Sequence, residues 1–301
     1  MEEGRPSFTA LGAAMLRAAH LLWDDPPKIF EDTFALRLSG CENEAALRVQ
    51  LDRLAAEFAG RSNPDFAQIA LRYLRGEVIV RSRYVEGEVD RAINRGISQY
   101  VILGAGLDSF AYRRPDVAKV LRIFEVDHPA TQAWKRARLQ ALSVASPENL
   151  AFVPVDFDKQ STIDGLQTSA FRTDAPAVFS WLGVTTYLTP DAIFSTLRTI
   201  ASLTPETEII FGYALPPELL DEEAQQVLAV VKAGATANNE PVLTFFEPAR
   251  LAEQVRKLGF SEVWDFGPEE ASPLYFAGRT DGLGPPAHLH LIGARVGPQS
   301  S

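Results

Sequence analysis

A short glycine-rich segment, Gly104-Ala105-Gly106, directly follows an apolar run at 99–103 that is typical of a buried strand. Glycine permits a tight turn and lets backbone N–H groups approach a ligand closely. The third glycine of the dinucleotide-binding fingerprint, which supports packing beside a pyrophosphate, is absent. The segment therefore predicts either a site for a nucleotide-like ligand without a pyrophosphate or a turn with no binding role.

Carboxylates close the next two apolar runs of the chain. Asp127 ends the run 121–127, and Asp156 ends the run 150–156, with Phe157 directly after it. An acid at the end of a second strand can accept hydrogen bonds from both ribose hydroxyls, and an acid at the end of a third can accept from an adenine amino group. Either acid could instead cap a helix. Since these strand ends share one edge of a parallel sheet, we expect a site there for S-adenosylmethionine, which carries a nucleoside and no pyrophosphate.

The elements that must position these residues alternate between strand and helix patterns. This alternation predicts an α/β fold with a mostly parallel sheet that is covered by helices on both faces. The later runs predicted as strands are 177–182, 207–212, 263–266 and 288–296. The intervening stretches with helical spacing are 131–144, 190–203 and 248–258.

The first part of the chain shows helical spacing only. We expect residues 1–96 to form an N-terminal helical cap and residues 97–301 to form the α/β core, within a single domain over 1–301. Alanine, glutamine, valine and leucine recur at helical spacing near 216–241, which predicts an inserted helix pair that serves as a lid. The helical segments expected in the cap are 43–58, 65–74 and 77–95.

Composition narrows the classes of partner. The net charge of −10 opposes docking on nucleic acids and favours a small-molecule acceptor. No apolar run is long enough to cross a membrane, and the acidic start lacks the basic region of a secretory signal. Because Cys41 is the only cysteine, no internal disulfide can form, and we expect a cytoplasmic location.

No metal ion is expected. The chain has no Cys/His cluster with zinc-binding spacing, and its acids are too scattered for a metal-assisted site. None of the histidines forms a recognisable catalytic pair in the sequence. They are His20, His128, His288 and His290.

Several longer motifs occur in an order and spacing that fit one known family. They are 14–18 (AMLRA), 81–84 (RSRY), 99–113 (QYVILGAGLDSFAYR), 124–129 (FEVDHP), 153–157 (VPVDF), 183–190 (GVTTYLTP), 246–248 (FEP) and 275–282 (YFAGRTDG). Together they resemble the leucine carboxyl methyltransferase-like family, whose bacterial branch comprises S-adenosylmethionine-dependent methyltransferases. The resemblance implies a class I methyltransferase fold with a Rossmann-like, seven-stranded, mostly parallel sheet. It also implies one antiparallel member in the late strand pair.

The resemblance further implies a set of cofactor contacts. Arg81, with Arg17 as a helper, would bind the methionine carboxylate, because a guanidinium matches the geometry of a carboxylate. From its own pattern alone, Arg81 could instead be solvated or pair within its helix. The remaining contacts are the backbone at Gly104 and Gly106 with the methionine part, Asp127 with the ribose, and Asp156 and Phe157 with the adenine.

The acceptor side is less defined by motifs. Leu182 stands where eukaryotic family members carry a glutamate, which indicates a substrate other than a protein carboxyl terminus. Tyr187, at the end of the fourth strand, is the candidate catalytic residue that lines the acceptor pocket, unless it is simply a buried tyrosine. A carboxylate acceptor needs no base, whereas a hydroxyl benefits from one. We expect O-methylation of a carboxylate or hydroxyl on a small organic metabolite.

Two other functions fit part of the pattern. An NAD(P)-dependent dehydrogenase would share the sheet and the ribose acid, but it would normally keep the third glycine. A non-catalytic S-adenosylmethionine-binding protein would tolerate Leu182. The oligomeric state and the identity of the acceptor stay open.

Overall fold

A seven-stranded sheet lies at the centre of the computed structural model, which describes residues 7–59, 64–156 and 161–298. The strands are β1 (Gln99–Leu103), β2 (Arg122–Asp127), β3 (Leu150–Pro154), β4 (Val178–Trp181), β5 (Glu208–Ala214), β6 (Phe260–Phe266) and β7 (Leu289–Val296). Their order across the sheet is β3-β2-β1-β4-β5-β7-β6. Strand β7 is antiparallel to both of its neighbours, whereas β1 to β5 pair in parallel. The predicted fold class is therefore confirmed.

Helices cover both faces of the sheet. They are α1 (Phe8–Trp23), α2 (Ala35–Leu38), α3 (Glu44–Ala59), α4 (Pro64–Asn94), α5 (Phe110–Arg113), α6 (Pro129–Ala141), α7 (Thr162–Gln167), α8 (Pro190–Ala201), α9 (Glu222–Ala237), α10 (Pro248–Lys257) and α11 (Pro268–Ala271). Buried side chains of α7, α8 and α10 pack on one face, and those of α4, α5 and α11 pack on the other. The central strands are apolar in a continuous run because both of their faces are buried.

Helix α4 joins the N-terminal helices to the sheet. It runs unbroken through Gly76, where the sequence pattern predicts two separate helices. A Cβ at Gly76 would lie 2.4 Å from the carbonyl oxygen of Gly284, so the glycine allows the loop before β7 to approach the helix. This close contact brings the start of β7 beside the middle of α4.

The segment predicted as an inserted helix pair contains one helix, α9, after a short 3-10 turn at Pro217–Leu219. Val227 and Val230 of α9 pack with α1, α3 and α4, while Ala224 and Leu228 belong to the cluster under the sheet. In the part of the chain that the structure describes, no helix is both long enough and apolar enough to span a bilayer.

Candidate active site

The loop after β1 makes a tight turn at its two glycines. Gly104 and Gly106 have φ angles of +63° and +50°, in the left-handed region that disfavours other residues. A Cβ at Gly104 would lie 2.4 Å from Cγ2 of Val184, in the loop after β4. The two loops therefore meet at the carboxyl edge of the sheet, where ligands bind in open α/β folds.

Asp127, at the end of β2, is joined directly to this loop. One carboxylate oxygen accepts a hydrogen bond from the Gly106 amide, and the other accepts from the His128 amide at 2.6 Å. Burial raises the pKa of the Asp127 carboxyl, and the two amides act in the opposite direction. Each oxygen has a second lone pair, so the carboxylate can still accept from two hydroxyl groups.

Asp156 follows β3 at the same edge and is partly buried. Its carboxylate lies 3.9 Å from Nε2 of His128, whose Nδ1 accepts from the Ala130 amide and so caps α6. This places His128 between the two acids predicted to hold the nucleoside. Phe157 lies outside the described residues, so its adenine contact stays a prediction.

Arg17 lies beneath the glycine loop. Its Nη2 donates to the carbonyl of Leu107 at 2.7 Å, and its Nε donates to Asp32 at 2.8 Å. Both charged side chains are buried. The guanidinium therefore binds the protein's own loop, and its predicted role as a helper on the methionine carboxylate stays a prediction.

Lys135 of α6 holds the next carbonyl of the loop. Its ammonium donates to the Asp108 carbonyl and to the Glu125 carboxylate, each at 2.6 Å. Burial raises the pKa of Glu125 to about 7, although the charge of Lys135 opposes the shift. Two buried cations from different helices thus fix successive carbonyls, and the sequence analysis missed Lys135. The available signal was a lysine on the buried stripe of α6, which also contains Thr131 and Leu139.

Arg81 of α4 faces the loop after β4. A Cβ on Gly183 would come within 2.7 Å of its Nη2, so this glycine leaves space for the guanidinium. Its Nη1 donates to Glu77, one helical turn earlier, at 2.6 Å. The alternative of a helix-pairing arginine is thus realised, and the guanidinium still lies against the loop that follows β4.

Glu77 also binds a histidine that the sequence analysis left unpaired. Its second oxygen lies 3.1 Å from Nε2 of His288, just before β7. The His288 ring stacks on Tyr73, with 5.0 Å between centroids. Burial acts against ionisation of Glu77, but the His288 hydrogen bond and the Arg81 charge hold its pKa below the ordinary value. No local sequence signal reveals this pair, because the two residues lie far apart in the chain.

Tyr187 lies in the 3-10 turn after β4, in the region of these charges. Burial raises the pKa of its phenol above the usual range, with Glu77 adding to the shift and Arg81 opposing it. The hydroxyl is therefore neutral at neutral pH and is able to donate a hydrogen bond. The carbonyl of Thr186 accepts from the Leu243 amide at 2.8 Å, which ties the segment after α9 to this turn. Leu182 packs with the cluster that includes α4.

The structure thus brings the predicted residues into two groups. Gly106 and Asp127 are hydrogen-bonded to each other, while Arg81 lies against the loop that leads to Tyr187. A parallel sheet with one antiparallel strand next to its edge, and an acid from β2 on a glycine loop after β1, are typical of the class I methyltransferases. Sequence comparison identifies the family within that class.

The chain belongs to the leucine carboxyl methyltransferase family, whose sequence model matches residues 10–201. It is similar to YktD of Bacillus subtilis (strain 168), a protein provisionally named an S-adenosyl-L-methionine-dependent methyltransferase, at 30% identity over 98% of this chain and 99% of that relative. Membership confirms the predicted class: the chain is a methyltransferase that depends on S-adenosylmethionine.

Solved structures agree with the fold. A DUF574 family protein from Streptomyces avermitilis superposes with a TM-score of 0.60 at 17% identity, over 97% of this chain and 98% of that one. A protein of Thermobifida fusca, provisionally called a methyltransferase, gives a TM-score of 0.56 at 17% identity, over 97% and 96% of the two chains. At this identity the likeness concerns the fold alone.

Proposed function

We propose that this methyltransferase acts on oxygen, at a carboxylate or hydroxyl group of a small organic molecule. The single observation that carries the proposal is the group at the end of β4, where the Arg81 guanidinium lies against Gly183 in the loop that leads to Tyr187. A neutral phenol and a guanidinium are hydrogen-bond donors that stabilise negative charge on an acceptor oxygen. A nearby cation gives no comparable advantage to an amine nucleophile.

The residues at the sheet edge fit S-adenosylmethionine. Asp127 keeps acceptor capacity for the ribose hydroxyls. Gly104 and Gly106 carry no side chain that would hold the methionine part away from the backbone. Arg81 offers a guanidinium for the carboxylate, and Asp156 offers an acceptor for the adenine amino group. When bound, S-adenosylmethionine supplies an electrophilic methyl group on a positively charged sulfur. The protein's part is to position the nucleophile and to exclude water.

The net charge of the chain and the apolar side chain of Leu182 support a small acceptor. The net charge of −10 works against a polyanionic substrate. Leu182 is apolar and packs into the core beside α4, so it provides no charged group for a peptide terminus. The proposal includes a cytoplasmic location, in keeping with a lone, buried cysteine.

The proposal is tested by transfer of a labelled methyl group from S-adenosylmethionine to a panel of small carboxylic acids, phenols, alcohols and amines, with tRNA as a further acceptor. Label in a base-labile ester or in a stable ether supports it. Label only on nitrogen, on carbon or on nucleic acid contradicts it.

Tyr187→Phe supplies a variant for the same assay, with Tyr275→Phe as its matched control at a tyrosine outside this group. We expect Tyr187→Phe to lower kcat because it removes one donor to the acceptor oxygen, and Tyr275→Phe to keep the parent rate.

A further inference from the structure

Two side chains outside the predicted site form a buried histidine–carboxylate pair at the same sheet edge. We propose that Nδ1 of His288 accepts the proton of an acceptor hydroxyl and that Glu77 positions the imidazole for this step. The inference rests on the proposed function and narrows it from oxygen acceptors in general to hydroxyl groups. His288 also lies beyond the residues that the family model matches.

One nitrogen of the His288 ring is buried and unpaired in the part of the chain that the structure describes. Nε2 of His288 lies 3.1 Å from Glu77, whereas Nδ1 has no hydrogen-bond partner among residues 7–59, 64–156 and 161–298. His288 is only 4% exposed. A buried polar nitrogen without a partner is costly, and such atoms in native proteins generally meet water or a ligand.

Glu77 determines which nitrogen carries the proton. Burial disfavours its charge, yet the contacts with His288 and Arg81 hold its pKa below the ordinary value, so Glu77 is a carboxylate at neutral pH. A carboxylate only accepts hydrogen bonds, so Nε2 carries a hydrogen. In the neutral ring, which this inference requires, Nδ1 then carries the lone pair. The same logic places a base in serine hydrolases, where an acid holds the imidazole in the reactive tautomer.

The pair adjoins the proposed cofactor contact. Glu77 bridges His288 and Arg81, and Arg81 is the residue assigned to the methionine carboxylate. In S-adenosylmethionine a short carbon chain separates that carboxylate from the sulfonium, so a base next to Arg81 is also near the methyl group. Strand β7 is antiparallel to β5, so its first residues lie at the carboxyl edge of β5.

The groups that face His288 leave it as the base. Tyr73 stacks on the ring, and burial raises its pKa beyond the usual range, so it stays neutral. Asp221, at the start of α9, also raises the pKa of Tyr73. Arg81 is linked to His288 through Glu77, which contacts both side chains. The phenol of Tyr187 is held neutral by burial, so the unpaired Nδ1 of the imidazole is the acceptor that this group offers.

The chemical step balances without another reactant. The acceptor O–H bond breaks, its proton moves to Nδ1, and the freed electron pair on oxygen forms a bond to the methyl carbon. The carbon–sulfur bond breaks at the same time, and its electron pair stays on sulfur, which becomes a neutral thioether. The imidazolium then releases its proton to water.

The first test measures the tautomer of His288 by ¹⁵N NMR of the ring nitrogens in the full chain with S-adenosylhomocysteine bound, and it needs no acceptor. The inference predicts a hydrogen on Nε2 and a bare Nδ1 at neutral pH. In Glu77→Gln this preference should weaken. A hydrogen on Nδ1 in the parent, or a stable imidazolium, would overturn the inference.

The second test compares His288→Gln with His290→Gln, a matched control two residues further along, in β7. His290 also pairs with a carboxylate, at 2.7 Å from Asp265, but it lies outside the group around Arg81. With the best phenol or alcohol of the acceptor panel, His288→Gln should lower kcat by about 10²–10⁴-fold and abolish the acidic limb of the pH profile. Its affinity for S-adenosylmethionine, measured by calorimetry, should match that of the parent.

The outcomes separate this inference from the proposed function. Equal kcat values for His288→Gln and the parent on a hydroxyl acceptor would refute the base while leaving O-methylation intact. Methylation of carboxylates alone would also refute it. Label found only on nitrogen, carbon or nucleic acid would instead refute the proposed function, and the tautomer measurement would still report on His288.

Discussion

At the scale of single residues, Asp127 connects the loop geometry with the proposed ribose contact. Its oxygens already hold the amides of Gly106 and His128. We expect Asp127→Ala to weaken binding of S-adenosylmethionine by about 1.5–3 kcal/mol, the range for hydrogen bonds to a charged group. Isothermal titration calorimetry measures this loss directly. Asp174→Ala removes an acid whose exposed partner is Arg172, and it should bind as the parent does. Unchanged affinity in folded Asp127→Ala would refute the assignment.

Arg81 allows a sharper test, because its proposed partner is one chemical group of the ligand. Arg81→Met should weaken binding of S-adenosylmethionine by about 1.5–3 kcal/mol, since a charged hydrogen bond to the carboxylate is lost. Binding of methylthioadenosine, which lacks the carboxylate, should change little. Calorimetry with both ligands also controls for misfolding, because a misfolded variant would lose affinity for both of them. Equal losses for both ligands would show that Arg81 acts on the fold and not on the carboxylate.

At the scale of elements, α1 and α6 hold the glycine loop through buried cations. Above pH 7, where Glu125 is ionised, Lys135→Met should lower the free energy of unfolding by about 3–5 kcal/mol, because it leaves this carboxylate buried without its partner. The double variant Lys135→Met/Glu125→Gln should recover most of that stability, since no buried charge remains. Both variants should bind S-adenosylmethionine more weakly than the parent, because the Asp108 carbonyl has lost its donor.

Denaturant unfolding and calorimetry on the same samples separate these two effects. If the double variant regains the parent's affinity together with its stability, Lys135 supports the fold only and does not position the loop.

The sequence predicts strands more reliably than it predicts how helices are divided. Continuous apolar runs identify β1 to β5 because strands buried on both faces leave that pattern. Gly76 suggests a helix break that does not occur, since its place is set by contact with Gly284 in a distant loop. The single helix α9 replaces the expected pair, and its division between two clusters is visible only once the chain has folded.

The residues of the candidate site likewise fall into those that the sequence predicts and those that only the structure reveals. Gly104, Gly106 and Asp127 lie at the ends of successive strands, so local pattern and the rule for parallel sheets place them together. Arg81 was assigned through family resemblance. The contact between Glu77 and His288 joins α4 to the start of β7, and no spacing in the sequence encodes it.

At the scale of the whole molecule, the buried pair of Glu125 and Lys135 makes the free energy of unfolding depend on pH. Burial raises the pKa of Glu125 from 4.5 to about 7, so the folded state holds this proton after the unfolded chain has released it. The stabilisation from that proton is fully present below pH 4.5 and is lost as the pH rises to about 7. Relative to Glu125→Gln, the parent should therefore lose up to about 3 kcal/mol over this window.

Urea unfolding at several pH values measures the difference between the parent and Glu125→Gln. Glu262→Gln, at an exposed acid of β6, is the matched control and should follow the parent. A difference that is constant with pH would show that Glu125 keeps its charge in the folded protein.

The central claim is that the carboxyl edge of this sheet binds S-adenosylmethionine through Asp127 and Arg81. A crystal structure of the protein with S-adenosylhomocysteine tests it most directly. The account predicts the ribose hydroxyls within hydrogen-bond distance of Asp127 and the amino acid carboxylate on the guanidinium of Arg81, with Glu77 still bridging to His288. A ligand whose ribose and carboxylate contact neither residue, or that binds away from the loop at Gly104 and Gly106, would contradict it.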